Sequence, residues 1–328
     1  MLSVCFVFFL FSCEEKKSHE ITQLKTAQTI DELSDSSFFK DVTHISYYKD
    51  FFYVADSYNG RIVKLDNNLN LALSMGRTGE GPGEFLGMNC VGSYKDTLYA
   101  ASSRSLKMNR FTIDGDFIDD HRILDYSMIS NYFCIDNKGG LYFNSIFDSA
   151  PVVKFDRLMN RQFAFGTWIE AETEERKIAL NNFQVLYFQN KILTVQCEEP
   201  LISLYEEDGT LMLSQKIDSD VFKSRLQFKQ QQLGISPSAQ QNKNVYMLFC
   251  SITSYENKLY MLYIDHDKES NRPRCNKLIE LSYEDNEFKI DNIYQLEDSW
   301  YTAICCVKDR LICFSATRSE LQVYNLGN

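Results

Sequence analysis

The stretch Phe52-Tyr53-Val54-Ala55-Asp56-Ser57-Tyr58-Asn59-Gly60-Arg61-Ile62-Val63-Lys64-Leu65-Asp66 carries the pattern that decides the fold. An apolar run ends in a polar turn, and an alternating run follows and closes on a charged residue. Two short strands joined by a tight turn satisfy that pattern. Aromatic and β-branched residues suit a pleated, half-buried surface, and Asn-Gly accepts the backbone angles of the turn. The unit recurs along the chain, with apolar pairs at Phe52-Tyr53, Leu98-Tyr99, Leu141-Tyr142, Ile192-Leu193, Leu259-Tyr260 and Leu311-Ile312. These pairs stand about 43 to 67 residues apart, the spacing of four-stranded blades stacked around an axis.

An apolar inner-strand candidate precedes each pair, Val245 to Cys250 and Ala303 to Val307 among them. An alternating third strand follows, as at Arg61 to Asp66 or Lys277 to Tyr283. Turn signals at Asp114-Gly115, Asp208-Gly209 and Asp285-Asn286 then lead to fourth strands such as Leu71 to Ser74 and Leu211 to Ile217. Such sheets need a neighbour on both faces, so the expected architecture is an all-β, six-bladed β-propeller over residues 20–328, with four antiparallel strands per blade. The sixth unit stops one strand short at Tyr324-Asn325-Leu326, while Glu20 to Ile30 has no partner of its own. Placing that segment as the outer strand of the last blade closes the ring and covers an open edge. Two long connections, Trp168 to Asn181 and Ser219 to Gln241, read as helical insertions, the second capped by Asp218 or Ser219.

The beginning of the chain is different material. Leu2 to Phe11 is apolar and ends in Ser12-Cys13, too short to span a bilayer and of the length of a signal-peptide core. Residues 1–12 are therefore expected to be a lipoprotein signal peptide. Cys13 is the lipidation site, and residues 13–19 form a polar tether. The pair Glu14-Glu15 resembles the surface-export tag of some Gram-negative lipoproteins, so the expected location is the outer membrane, with the periplasmic and the surface face both open.

A net charge of −11 repels a phosphate backbone, so nucleic acid is not an expected partner. Of the 10 cysteines, those beyond Cys13 sit mostly in apolar strand contexts and read as small buried hydrophobes. Disulfides remain open, since spacing cannot pair them. No Cys-x-x-Cys occurs and the 4 histidines are scattered, so neither a metal nor another cofactor is expected. The glycine-rich run Gly76 to Gly83 lacks the Lys-Ser/Thr of a phosphate loop and reads as an inter-blade turn. Asp265-His266-Asp267-Lys268-Glu269 lacks the glycine and closing glutamate of a calcium loop and reads as a solvated loop.

Tyr53 to Ile62, followed by Gly76-Arg77-Thr78-Gly79-Glu80-Gly81-Pro82-Gly83-Glu84-Phe85, resembles the NHL-type propellers. In particular it is similar to six-bladed β-propeller lipoproteins of gut-dwelling Gram-negative bacteria. That resemblance implies a fold and an envelope location more than an activity.

Two sets of residues are candidates for a binding site. Inner strands open with Asn89, Asn131, Asn182 and Asn244, joined by Thr43 and Thr302, and symmetry places them around one mouth of the channel. Turns on the same face gather Tyr58, Arg61, Arg77, Arg104 and Arg318, a set suited to anionic or hydroxylated ligands. Asparagines that cap strand ends and arginines in local surface pairs are the structural alternatives. The functional expectation is a binding or scaffold module at the envelope. It recognises a glycan or a peptide, or serves an envelope protein partner. The alternative is a propeller lyase or hydrolase acting on a carbohydrate or lactone at the channel mouth. Without carboxylates in the aligned ring and without a nucleophile elbow, the catalytic alternative is the weaker one.

Overall fold

The computed structural model describes residues 20–123, 133–145, 148–235, 246–267, 270 and 272–327. Residues 1–19 lie outside the described residues, with the expected signal peptide, tether and Cys13, as do Asn131 and Asn244. Six antiparallel sheets form the blades. From inner to outer strand, blade one comprises Val42–Tyr48, Phe51–Asp56, Arg61–Leu65 and Leu71–Met75. Blades two to five start at Met88–Tyr94, Phe133–Ile135, Phe183–Phe188 and Phe249–Tyr255. Blade six runs from Tyr301–Val307 through Arg310–Ser315 to Glu320–Asn325.

Its fourth strand is Thr26–Ile30, paired antiparallel with Glu320–Asn325. The register shows that this is a true blade strand. In blade one the outer strand skips a residue between Leu71 and Leu73 as it pairs with Leu65 and Lys64. Equivalent shifts occur at Phe117/Asp119, Arg161/Phe163, Leu211/Leu213 and Ile290/Asn292. Thr26–Ile30 repeats the shift against Tyr324 and Val323. A bulge adds twist where each blade flares outwards, and the N-terminal segment supplies the sixth copy.

Three expectations are corrected. Only part of Glu20 to Ile30 closes blade six, because Ile21–Gln23 instead adds a parallel fifth strand outside blade five. The inner strand of blade five begins at Phe249, not Val245. The apolar run starts early because Leu248 is buried between blades and donates its N–H to the Cys197 carbonyl of blade four (2.6 Å). Asp265 and His266 end a strand, Lys258–His266, rather than sitting in a solvated loop, and His266 is buried against the Phe228 ring.

Buried side chains between successive blades make the core, with Phe52, Val54, Val63, Ile312 and Phe314 filling the seam between blades one and six. Both insertions are helical. α1 (Glu174–Leu180) starts at Thr173, whose side chain accepts from the Arg176 N–H, and it carries Glu174 and Glu175 in its positive first turn. α2 (Lys223–Ile235) follows a short 3-10 turn whose N-cap is Ser219. All eight described cysteines are free thiols, and seven of them are buried.

Candidate functional site

The strand ends at the α1 and α2 face set the geometry of one channel mouth. Thr43, Asn89, Cys250 and Thr302 are the second residues of their inner strands, and each sits at a bulge where the register slips. Asn182 is not their equivalent. It pairs with Cys197 just before its strand, at the position held by Asp41, Gly87, Leu248 and Trp300 elsewhere. The expected asparagine ring is therefore not one ring.

Side chains near these inner-strand ends stitch blades together instead. Thr302 Oγ1 donates to the Val42 carbonyl (2.7 Å) and Thr43 Oγ1 to the Met88 carbonyl (3.0 Å). Gln184 Nε2 donates to the Phe249 carbonyl (3.3 Å), and Ser251 Oγ accepts from the Ile304 N–H (3.3 Å). Asn89 is buried, and its Oδ1 accepts from Ser103 Oγ (2.9 Å). Asn182 is also buried, and its Oδ1 has no partner among the described residues.

The four arginines divide. Arg61 and Arg318 line one depression of ≈ 730 Å³ between blades one and six, with Phe38, Lys40, Tyr58 and Asn59. Arg77 lies elsewhere, 81% exposed and paired with Glu84 (2.6 Å). Arg104 packs its stem over Gly87 rather than lining that depression. Neither Asn89 nor Asn182 lies among its lining residues, so the expected asparagine floor is not there.

Within the depression the two arginines do different things. Arg61 is committed to architecture: Nε donates to Asp56 Oδ2 (3.0 Å), Nη1 to Ser37 Oγ (2.8 Å) and Nη2 to the Phe38 carbonyl (2.9 Å). It pins the loop before blade one onto the blade-one turn. Arg318 donates through Nε to Asp298 (2.8 Å), its Nη1 lies 4.0 Å from Glu320, and its side chain remains 59% exposed. Asp298 is held in turn by Ser315 and Gln322. Beside that guanidinium stand two aromatic rings open to solvent, Phe38 at 58% and Tyr58 at 60% exposure. Lys40 Nζ lies 3.7 Å from the Tyr58 ring centroid and pulls the phenol below its usual range.

Sequence reading found Tyr58 and Arg318 but missed Phe38 and Lys40. The signal was present in Phe38-Phe39, where the second ring is 1% exposed and the first faces out.

A second cavity, ≈ 310 Å³, lies inside the channel and is lined by all six inner strands, with His44, Tyr47, Tyr187 and Tyr255 on its wall. A third, ≈ 530 Å³, lies between α2 and the end of blade five. Among the described residues no group of three or more His, Cys, Asp or Glu could hold a metal ion.

No known family model matches this chain, and no curated protein matches it in sequence. Solved structures do match. A Bacteroides fragilis protein described as exported is 14% identical over 89% of this chain and 87% of its own, with a TM-score of 0.60. A Bacteroides thetaiotaomicron protein of unknown function is 11% identical over 94% and 75%, with a TM-score of 0.53. A Staphylococcus aureus virginiamycin B lyase is 12% identical over 87% and 80%, also at 0.53. At these identities the likeness establishes the β-propeller fold, which is shared by binding proteins and enzymes alike.

Proposed function

We propose that this chain is an exported, lipid-anchored binding module that recognises a glycan through the depression between blades six and one. The observation that carries the reading is the pair of exposed rings, Phe38 and Tyr58, beside the half-free guanidinium of Arg318. Exposed to this degree around one depression, the two rings leave much of their apolar surface open to solvent. They suit the apolar face of a sugar ring, while Arg318 and Lys40 address its hydroxyl or acidic groups. Export is supported by the apolar Leu2 to Phe11 run and by the exported Bacteroides neighbour of the same fold.

Binding of the purified ectodomain to immobilised glycans tests it. Tyr58→Ala and Phe38→Ala should each weaken binding about two- to tenfold, the value of one aromatic contact of about 0.5–1.5 kcal/mol. Arg318→Ala should do at least as much. Binding that is unchanged in the Phe38/Tyr58 double variant, or that is seen only with peptides, would refute the glycan reading.

A further inference from the structure

Arg225 lies on the inward side of α2 and is 9% exposed. Among the described residues its side chain makes a single hydrogen bond, Nε to the Met247 carbonyl (2.9 Å). No carboxylate pairs with it among the described residues, although carboxylates are close. Glu198, fully buried, is saturated by others: Arg176 of α1 reaches both its oxygens (3.0 and 2.5 Å). The Tyr246 N–H donates to Oε1 (2.9 Å) and Lys229 Nζ stands 3.3 Å from Oε2. Glu199 is taken by Lys229 (2.5 Å) and Lys216 (3.2 Å). Three cations therefore already meet two carboxylates before Arg225 is added, in a protein whose net charge is −11. The chain that follows α2, residues 236–245, contributes one Lys and no Asp or Glu.

An unpaired buried cation is costly, and burial accordingly pushes the Arg225 guanidinium below its usual range. A flexible lysine could escape to water, but Arg225 lies over the Phe228 ring, with its guanidinium carbon 5.5 Å from the ring centroid. The Phe228 ring also stacks on His266 (4.1 Å). Held this way by Nε, an arginine leaves its two terminal nitrogens to present a fork that matches a carboxylate.

We propose that Arg225 is the anchor of a second ligand site, at the channel mouth beneath α2, which binds a carboxylate-bearing ligand such as a uronate. Two amide oxygens of blade four also lack a partner among the described residues. Asn182 Oδ1 and Gln184 Oε1 are buried without a partner, and both border the Cys197 turn onto which Leu248 closes. A sugar acid brings the carboxylate for Arg225 and hydroxyl donors of the kind these amide oxygens lack. The site is separate from the aromatic depression, so either can fail alone.

The test is thermal unfolding and calorimetric titration of the ectodomain with glucuronate, against glucose, sulfate and sodium chloride at matched ionic strength. Glucuronate should raise the unfolding temperature of the parent, and Arg225→Ala should weaken binding about 10- to 150-fold. Arg225→Met, which keeps the apolar stem but not the charge, separates the site from a packing role. Without ligand it should unfold no lower than the parent, and it should lose the glucuronate response. The proposal is overturned if the parent shows no glucuronate shift beyond the salt control. It is also overturned if Arg225→Met responds as the parent does, or if sulfate matches glucuronate.

Discussion

His44 lines the central channel, and its Nδ1 accepts from the Val91 N–H of blade two (3.5 Å). Burial disfavours the imidazolium and draws its value from 6.5 down to about 4. The unfolded chain therefore takes up this proton at higher pH than the folded chain does. Stability from His44 is full above about pH 6.5 and is lost as pH falls through about 4. His266, lowered by burial and by Arg225, adds to the same trend. His44→Gln keeps an acceptor for Val91 but cannot titrate, so its stability should fall less steeply between those pH values. Urea midpoints measured at several pH values check this, and parallel curves for parent and variant would refute it. At this scale the sequence was only partly legible. Tyr58 and Arg318 were visible as turn residues. That Arg61 would spend its donors on Ser37 and Phe38 was not, because those partners lie in a loop whose path no local pattern specifies. Nor could spacing show that Asn182 stands one register class away from Asn89, since only pairing with Cys197 reveals it.

Elements were far more legible, because each blade repeats the same local physics. Asp66 accepts the N–H groups of Asn68 and Asn70, and Asp156 those of Leu158 and Asn160, which builds the same turn in blades one and three. Leu69 and Met159 both take φ near +65° there, a strained choice that the aspartate bonds stabilise. The closing strand was legible as a missing element matched by a spare one. Its division was not: Leu24, buried in the core between blades five and six, ends the pairing with blade five and starts that with blade six. Thr26 Oγ1 donates to Glu297 across that junction (2.5 Å). Deleting residues 20–30 should therefore expose both Glu287–Gln295 and Glu320–Asn325, two strand edges instead of one. A large fall in unfolding temperature with aggregation is the expected outcome. Deleting 20–24 alone should cost less, since blade six keeps its fourth strand. Equal unfolding temperatures for the parent and the longer deletion would show that the ring does not need this clasp.

At the scale of the whole molecule, the two helical insertions and the depression share one face of the ring, while the N-terminal strand leaves from its rim at blade five. No helix among the described residues is long and apolar enough to cross a membrane. The proposed attachment therefore rests on Cys13 after the apolar Leu2 to Phe11 run. Each buried methylene of an acyl chain contributes about 0.8 kcal/mol, so one chain holds a protein marginally and two or more hold it firmly. With a net charge of −11 the protein is repelled by anionic lipid, so the proposed anchor would act without electrostatic help. Cys13→Ala in the full-length chain should consequently move the protein from the membrane pellet to the soluble fraction in one step, with its unfolding temperature unchanged. High salt should not release the parent, because the attachment is apolar. Retention of the Cys13→Ala protein in the pellet, or release of the parent by salt alone, would show that something other than a lipid at Cys13 holds it.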